Sequence, residues 1–116
     1  MKYKIEERYI PNLNMNITFY IGKNAAGNFD IIDLSKPRDI WFHIDNSSSA
    51  HVIASIPNKF NKKELKYIIK QGSLLCKQYS KSQETTVVYT TLNNVVKTDI
   101  IGSVIICNSC YLTIKV

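Results

Sequence analysis

One strong helical pattern, at residues 62–82, constrains the fold more than any other feature of the chain. At about 100° per residue, its apolar residues fall on one arc of roughly 120°, which predicts a helix with one buried face. Asn61 followed by Glu64 has the pattern of a capping box. Because glycine in a helix costs about 1 kcal/mol relative to alanine, Gly72 predicts close contact between this helix and a sheet.

The segments on either side of this helix alternate between apolar and polar residues, as β-strands do. Strands are predicted at residues 3–10, 15–22, 39–45, 50–56, 85–91, 95–97, 102–107 and 110–116. A short helix is predicted near residues 25–35. Asn46-Ser47-Ser48 predicts a loop, and Asn108-Ser109 predicts a two-residue hairpin turn between the last two strands. The pattern indicates one α+β domain over residues 1–116, a largely antiparallel sheet with the long helix on one face.

The charge of the chain favours a polyanionic partner. Lysine and arginine total 15 against 9 acids, which gives a net charge of +6 and a pI near 9.3. Three cysteines, an odd number, indicate a reducing compartment. No signal peptide and no apolar run of about 20 residues is present in the sequence. We therefore expect a cytoplasmic location and no membrane partner.

The chain's only tryptophan, Trp41, lies close in sequence to its only histidines, His43 and His51. Strand parity places Trp41 and His43 on one face with Asp39 and Asp45, while the residues between them face the core. Two interpretations remain open at this point. The histidines brace the hairpin by hydrogen bonds to the two aspartates, or the three rings form a platform for a base or ribose. In the second case Lys23, Lys36 and Arg38 border the platform.

A lysine-rich side of the long helix is the second candidate surface. Its members fit an arc of about 100° that contains no acid: Lys62, Lys63, Lys66, Lys70, Lys77 and Lys81. Such a side is often only the solvated face of an amphipathic helix. The absence of acids equally favours contact with phosphates.

Metal binding and catalysis have weaker support in the sequence. Cys107-x-x-Cys110 has ligand spacing, but these cysteines flank a predicted turn and the two histidines lie on different strands. They are weak zinc candidates, and we predict no metal and no cofactor. No nucleophile elbow, P-loop or paired-histidine zinc motif is present. A metal-dependent or hydrolytic enzyme using His43 and His51 is therefore the least favoured alternative.

The order GKNAAGN, KPRDIWFHI, SSSAHVI, helix, VVYTTLNNVVK and IGSVII resembles the NFACT-R domain over residues 15–116. The matching positions are Gly22, Lys23, Asn24, Ala25, Asn28, Asp39, Trp41, His43, Ser49, His51, Val52, Tyr89, Thr90, Val96 and Gly102. Ser49-Ala50-His51 stands where the family usually has Gly-Ser-His, and Ile101 replaces a proline. That domain is the RNA-binding module of ribosome quality control proteins, and it also forms the globular part of a small eukaryotic coiled-coil protein.

The resemblance implies a non-enzymatic module that binds tRNA, rRNA or ribosomal complexes, here without the coiled coil and further domains of longer members. Its expected RNA contacts are Lys23, Asn24, Asn28, Lys36, Arg38, Trp41, His43, His51, Lys62, Lys66, Lys70 and Lys77. The expected structural positions are Gly22, Asp39, Asp45, Ser49, Tyr89 and Gly102. DNA remains open as a ligand. The alternative from a different class is an adaptor that docks on a ribosome-associated protein.

Overall fold

A computed structural model describes residues 2–116 and shows an α+β domain, as the sequence predicts. Its strands are β1 Tyr3–Ile10, β2 Met15–Gly22, β3 Ile40–Ile44, β4 Val52–Ala54, β5 Thr86–Thr91, β6 Val95–Lys97, β7 Val104–Ile106 and β8 Leu112–Lys115. Its α-helices are α1 Ala25–Leu34 and α2 Leu65–Gln78. No helix in the described part of the chain is long and apolar enough to span a membrane.

Six strands form one sheet in the order β1-β2-β4-β3-β5-β8, and every neighbouring pair is antiparallel. The predicted hairpin of the third and fourth strands is confirmed: Trp41 lies opposite Ile53, and Phe42 lies opposite Val52. Because side chains alternate along a strand, this register sends Phe42 and Trp41 to opposite faces of the sheet.

Helix α2 packs on the Phe42 face, where the larger hydrophobic core lies. The close approach predicted from Gly72 is confirmed, since a Cβ placed on Gly72 would lie 2.3 Å from the Phe42 ring. Glycine is therefore the residue that lets the helix backbone rest directly on β3. Ile68, Leu75 and Cys76 complete the buried side of α2.

The Trp41 face is covered as well, which the prediction of a helix on one face did not include. Helix α1 contributes Ile31, and the hairpin of β6 and β7 contributes partly buried residues such as Val104. They enclose Trp41, Ile53 and Val88 in a second apolar cluster. Trp41, Ile53 and Val88 place large apolar side chains on the second face of the central strands as well, so both faces of the sheet must be covered.

The predicted helix at residues 62–82 is shorter than its pattern. A 3₁₀ turn at Lys62–Glu64, capped by the side chain of Asn61, precedes α2, and the helix ends at Gln78. Beyond that point side chains bond to main-chain oxygens: the Ser80 hydroxyl donates to Cys76 O (2.6 Å) and Lys77 Nζ to Ser82 O (2.6 Å). Serine hydroxyls compete for backbone groups in this way, which ends the helix before residue 82.

The hairpin predicted between the last two strands is wrong, although its turn is present. Asn108 and Ser109 both have positive φ, 54° and 52°, and Cys110 N donates to Cys107 O at 3.1 Å. The strands on either side then separate, because β7 pairs with β6 and β8 pairs with β5. The turn residues predicted that the chain reverses here. They did not determine which strands pair with one another.

Candidate nucleic-acid interface

An open groove with a volume of about 1200 Å³ lies at one end of the sheet. Its lining residues are Val88 and members of residues 21–28, 41–51, 79–81, 101–106 and 109–111. It therefore joins the end of β3, the loop before β4, the start of α1, the end of α2 and the β6–β7 hairpin. No single segment of the sequence could have shown this convergence.

Trp41, His43 and His51 form a compact cluster at the base of this groove. The His43 ring stacks on the Trp41 ring, with centroids 5.6 Å apart and planes inclined by 12°. His51 meets Trp41 edge-on at 5.2 Å and His43 in a similar way at 5.2 Å. Trp41 is only 2% exposed, so it lies beneath the surface of the groove. His43 is the more exposed ring.

Hydrogen bonds assign a different tautomer to each histidine. Trp41 Nε1 donates to His51 Nδ1 at 3.1 Å; indole is only a donor, so His51 carries its proton on Nε2. His43 Nδ1 lies 2.6 Å from the carbonyl oxygen of Ile44, so it carries the proton and its Nε2 is an acceptor. On Nε2, His51 therefore carries a donor and His43 an acceptor, and both residues line the groove.

Burial keeps both histidines neutral. Burial, with a smaller effect of the neighbouring His43, lowers the pKa of His51 to about 3. Burial also lowers the pKa of His43, against the opposing effects of its bond to Ile44 and of the Asp45 charge. No fully buried side-chain nitrogen or oxygen in residues 2–116 lacks a partner. His51 Nε2–H, which has no protein acceptor there, therefore reaches the space of the groove.

The main chain of His51 is held by two residues of the GKNAAGN segment. Asn28 Oδ1 accepts from His51 N at 3.1 Å, and Gly22 N donates to His51 O at 2.9 Å. A Cβ on Gly22 would lie 1.9 Å from Asn28 Oδ1, so a side chain there would displace the amide. Gly22 and Asn28 therefore position the main chain of His51. Asn28 is itself buried.

Asp39 and Ser49 accept hydrogen bonds from main-chain N–H groups rather than from the histidine rings. The Asp39 carboxylate accepts from Lys36 N at 2.8 Å and from Ile56 N at 2.9 Å, and Ser49 Oγ accepts from Ile44 N at 3.0 Å. Within residues 2–116, neither histidine bonds to Asp39 or Asp45. The interpretation of an aspartate–histidine brace is therefore wrong, because Asp39 is occupied by main-chain donors and His51 by the indole.

The start of α1 forms one wall of the groove. Asn24 caps the helix, with its Oδ1 accepting from Gly27 N at 2.8 Å. The first N–H groups of a helix have no acceptor within it, and Ala25 and exposed Lys23 line the groove beside them. Gly102, with φ of 86°, lies so close to the start of α1 that a Cβ placed on it would be 2.7 Å from the Ala25 Cβ.

The remaining predicted cations lie elsewhere. Lys36 and the helix lysines Lys62, Lys66, Lys70 and Lys77 do not line the groove, and neither does Arg38. The Arg38 guanidinium donates to Ile56 O and to Asn58 Oδ1, both at 2.7 Å. Lys77 Nζ is held by Ser82 O and Glu84 O.

The groove also contains residues that were not among the expected RNA contacts, although Lys81 belongs to the lysine-rich side of the long helix. Tyr79, Ser80 and Lys81 enter from the end of α2, and Ser80 Oγ accepts from Ala50 N at 3.2 Å. These residues follow the end of α2 at Gln78. The apolar pattern predicted a helix to residue 82 and therefore did not indicate this end. Tyr89, a predicted motif residue, instead packs against Phe42 on the α2 face, with ring centroids 6.3 Å apart.

No group of three or more histidine, cysteine, aspartate or glutamate side chains suited to a metal occurs in the described residues. Cys107 and Cys110, the weak zinc candidates, are free thiols on the turn before β8.

Residues 8–107 match the family described as the NFACT protein RNA binding domain. The chain belongs to this family. The match includes α1, both histidines, α2 and the β6–β7 hairpin, so all groove-lining residues except Ser109 and Tyr111 lie within it. The family is defined as an RNA-binding domain and not as a catalytic one.

Relatives are found in vertebrates. Coiled-coil domain-containing protein 25 of Bos taurus and that of Mus musculus are each 37% identical over 90 residues, covering 70% of this chain and 41% of theirs. The Danio rerio protein is 34% identical over 89 residues, covering 70% of this chain and 42% of its own. The chain thus spans about two fifths of the length of these relatives.

A solved structure shares the fold. The C-terminal part of the fibronectin/fibrinogen-binding protein from Streptococcus suis superposes with a TM-score of 0.73 at 17% identity. The superposition covers 97% of this chain and 45% of that one. At this identity the likeness concerns the fold alone.

Proposed function

We propose that this chain is a non-enzymatic RNA-binding module and that its groove receives an unpaired nucleotide. The observation that carries the proposal is the family's RNA-binding definition over residues 8–107, together with a groove that places hydrogen-bonding rings opposite a helix N-terminus. Single-stranded or extruded bases are the usual targets of RNA recognition, because their edges and faces are accessible there.

The phosphate end of the nucleotide fits the start of α1. Free N–H groups at a helix N-terminus attract anions, and Lys23 adds a charge beside them. Lys81 lines the groove as a second cation, whereas Asp45 contributes a carboxylate. This balance suits one or two phosphates rather than a long stretch of backbone.

The base end fits the histidines. His43 stacks on Trp41 through one ring face, and a base would stack on its opposite face. Stacking of a base on a ring is worth about 1–3 kcal/mol. His51 Nε2–H is a donor and His43 Nε2 an acceptor, so a base edge with both functions meets complementary partners. Trp41 serves as the support of the platform.

In the cell we propose tRNA, rRNA or a ribosomal complex as the ligand, in a cytoplasmic setting resembling ribosome quality control. DNA is the competing ligand at the same groove. The support for RNA is the family definition, and the net charge of +6 suits any nucleic acid.

Fluorescence anisotropy of labelled single-stranded RNA, tRNA, duplex RNA and single-stranded DNA tests this proposal over a range of salt concentrations. We expect single-stranded RNA or tRNA to bind best, with a log–log salt slope of about −1.4 for two phosphates in a single strand. Lys23→Glu should weaken binding and reduce the magnitude of the slope by about one phosphate's share. His43→Ala should weaken binding by about 5- to 100-fold.

Lys36→Glu is the matched control, because Lys36 is exposed and does not line the groove. Thermal unfolding of each variant establishes that it is folded. Absence of binding to all RNAs at low salt would contradict the proposal, and so would groove variants that bind as well as the Lys36→Glu protein.

A further inference from the structure

A second, apolar cleft of about 430 Å³ lies between α2 and β8. Leu65 and Ile69 line it from the helix, Tyr89 from β5, and Tyr111 and Leu112 from the start of β8. Leu112 is 64% exposed and Tyr111 is 44% exposed. Apart from Tyr111, its lining residues differ from those of the groove.

Strand β8 presents an unpaired edge beside this cleft, because it is the last strand of the six-stranded sheet. Val116 N donates to Thr85 O at 2.8 Å. In an antiparallel ladder the inward-bonded residues alternate, so Leu112, Ile114 and Val116 bond towards β5. Thr113 and Lys115 consequently direct their N–H and C=O groups outward, where a further strand would bind.

Lysines lie next to the cleft-lining residues around α2, although none in residues 2–116 lines the cleft itself and Lys66 Nζ rests over the Tyr67 ring. On α2, Leu65 and Ile69 lie to one side of the buried centre around Gly72, and at about 100° per residue Lys66 and Lys70 follow on that side. Both lysines are exposed. Lys66 and Lys70 therefore lie nearer the β8 cleft than the groove that contains Trp41, which Lys81 lines.

We propose that the cleft docks an extended, acidic segment of a partner protein by strand addition to β8. Backbone groups of such a segment pair with Thr113 and Lys115, its apolar side chains enter the cleft, and its carboxylates meet Lys66 and Lys70. RNA fits the same place less well. A nucleic acid cannot continue a β-ladder, and the cleft wall is apolar at Leu65, Ile69 and Leu112.

The probe is a labelled synthetic peptide with a Val-Thr-Val centre flanked by two glutamates on each side, titrated into the whole chain. Peptide binding is followed by anisotropy and by amide chemical shifts. We expect shifts at Thr113, Lys115 and residues 65–70. A peptide with lysine in place of glutamate, and one with proline at its central position, should not bind, because proline lacks the N–H that a ladder needs.

Three variants locate the site. Leu112→Gln changes an exposed side chain and should weaken peptide binding about fivefold, as loss of one apolar contact does. Lys66→Glu/Lys70→Glu should weaken it about tenfold, whereas Lys36→Glu should leave it unchanged. Thr113→Pro should abolish binding, and an edge strand tolerates proline where the N–H faces solvent.

The proposal is overturned if the peptide does not bind, if it shifts the groove residues instead, or if the proline peptide binds equally well. It is also overturned if labelled RNA displaces the peptide and the Lys66→Glu/Lys70→Glu protein loses RNA affinity, which would make the cleft an RNA surface. The groove proposal is tested separately, by the dependence of RNA binding on Lys23 and His43. Either proposal can therefore fail while the other holds.

Discussion

The indole N–H of Trp41 donates to Nδ1 of His51 across the β3–β4 hairpin, over 3.1 Å. This bond sets the tautomer of a histidine that is 2% exposed. The same indole carries the stacked His43 ring on its face. The tautomer of His51 and the packing of both histidine rings therefore depend on one tryptophan.

Replacement of Trp41 by phenylalanine removes the donor and leaves His51 Nδ1 buried without a partner. Loss of a buried partner costs about 1–3 kcal/mol, so the free energy of unfolding should fall by that amount in urea titrations. Nitrogen chemical shifts of the His51 ring should also show that the pure Nε2–H tautomer is lost. An unchanged tautomer together with unchanged stability would show that the indole bond does not hold this ring.

Stability should decline as the pH falls below about 6.5, the ordinary pKa of histidine. The folded pKa of His51 is lowered to about 3 by burial and by His43, so between these values the unfolded chain binds more protons. The contribution is complete above about 6.5 and is lost as the pH approaches 3. At about pH 4.5 we expect a loss on the order of 2 kcal/mol, measured by urea unfolding.

His51→Asn is the control for this pH dependence, because asparagine keeps an acceptor for the indole but does not titrate. Its stability should change less steeply over the same pH window, and the difference between the two curves isolates the histidine from the carboxylates. Parallel curves would mean that His51 is not the group responsible.

Strand parity in the sequence predicted which rings share a face, and this succeeded because side chains alternate regularly along β3. Phe42 and Trp41 do lie on opposite sides of the sheet. The contact at Gly72 was predictable for a related reason, since an unfavourable residue in a helix centre indicates a steric need.

The partners of these residues could not be predicted in the same way. Asp39 bonds to Ile56 N, and Gly102 lies against Ala25, across separations that no local pattern encodes. The pairing of β8 with β5 rather than β7 is likewise decided by the sheet as a whole. Local turn geometry at Asn108 is compatible with either outcome.

Alanine at Gly72 should destabilise the protein despite its better helix propensity. Its Cβ would lie 2.3 Å from the Phe42 ring, and overpacking of this kind costs about 1–3 kcal/mol, more than the roughly 1 kcal/mol gained in the helix. Chemical denaturation of the variant measures the difference.

The matched control is Gln71→Ala, at the neighbouring and less buried position of the same helix, which should change stability little. The double variant Gly72→Ala/Phe42→Leu should recover part of the loss, because a smaller side chain yields to the new methyl group. Stabilisation by Gly72→Ala alone would contradict the close contact.

The three cysteines should differ sharply in reactivity. Burial raises the pKa of Cys76 to about 12, whereas Cys110 is exposed and Cys107 partly so. Thiolate is the reactive form, so a colorimetric thiol reagent at pH 8 should label two thiols in the folded protein and the third only in denaturant. Cys76→Ser should leave the fast count at two, and Cys110→Ser should reduce it to one. Three fast thiols would show that the α2 core opens readily, because Cys76 becomes accessible only when the helix leaves the sheet.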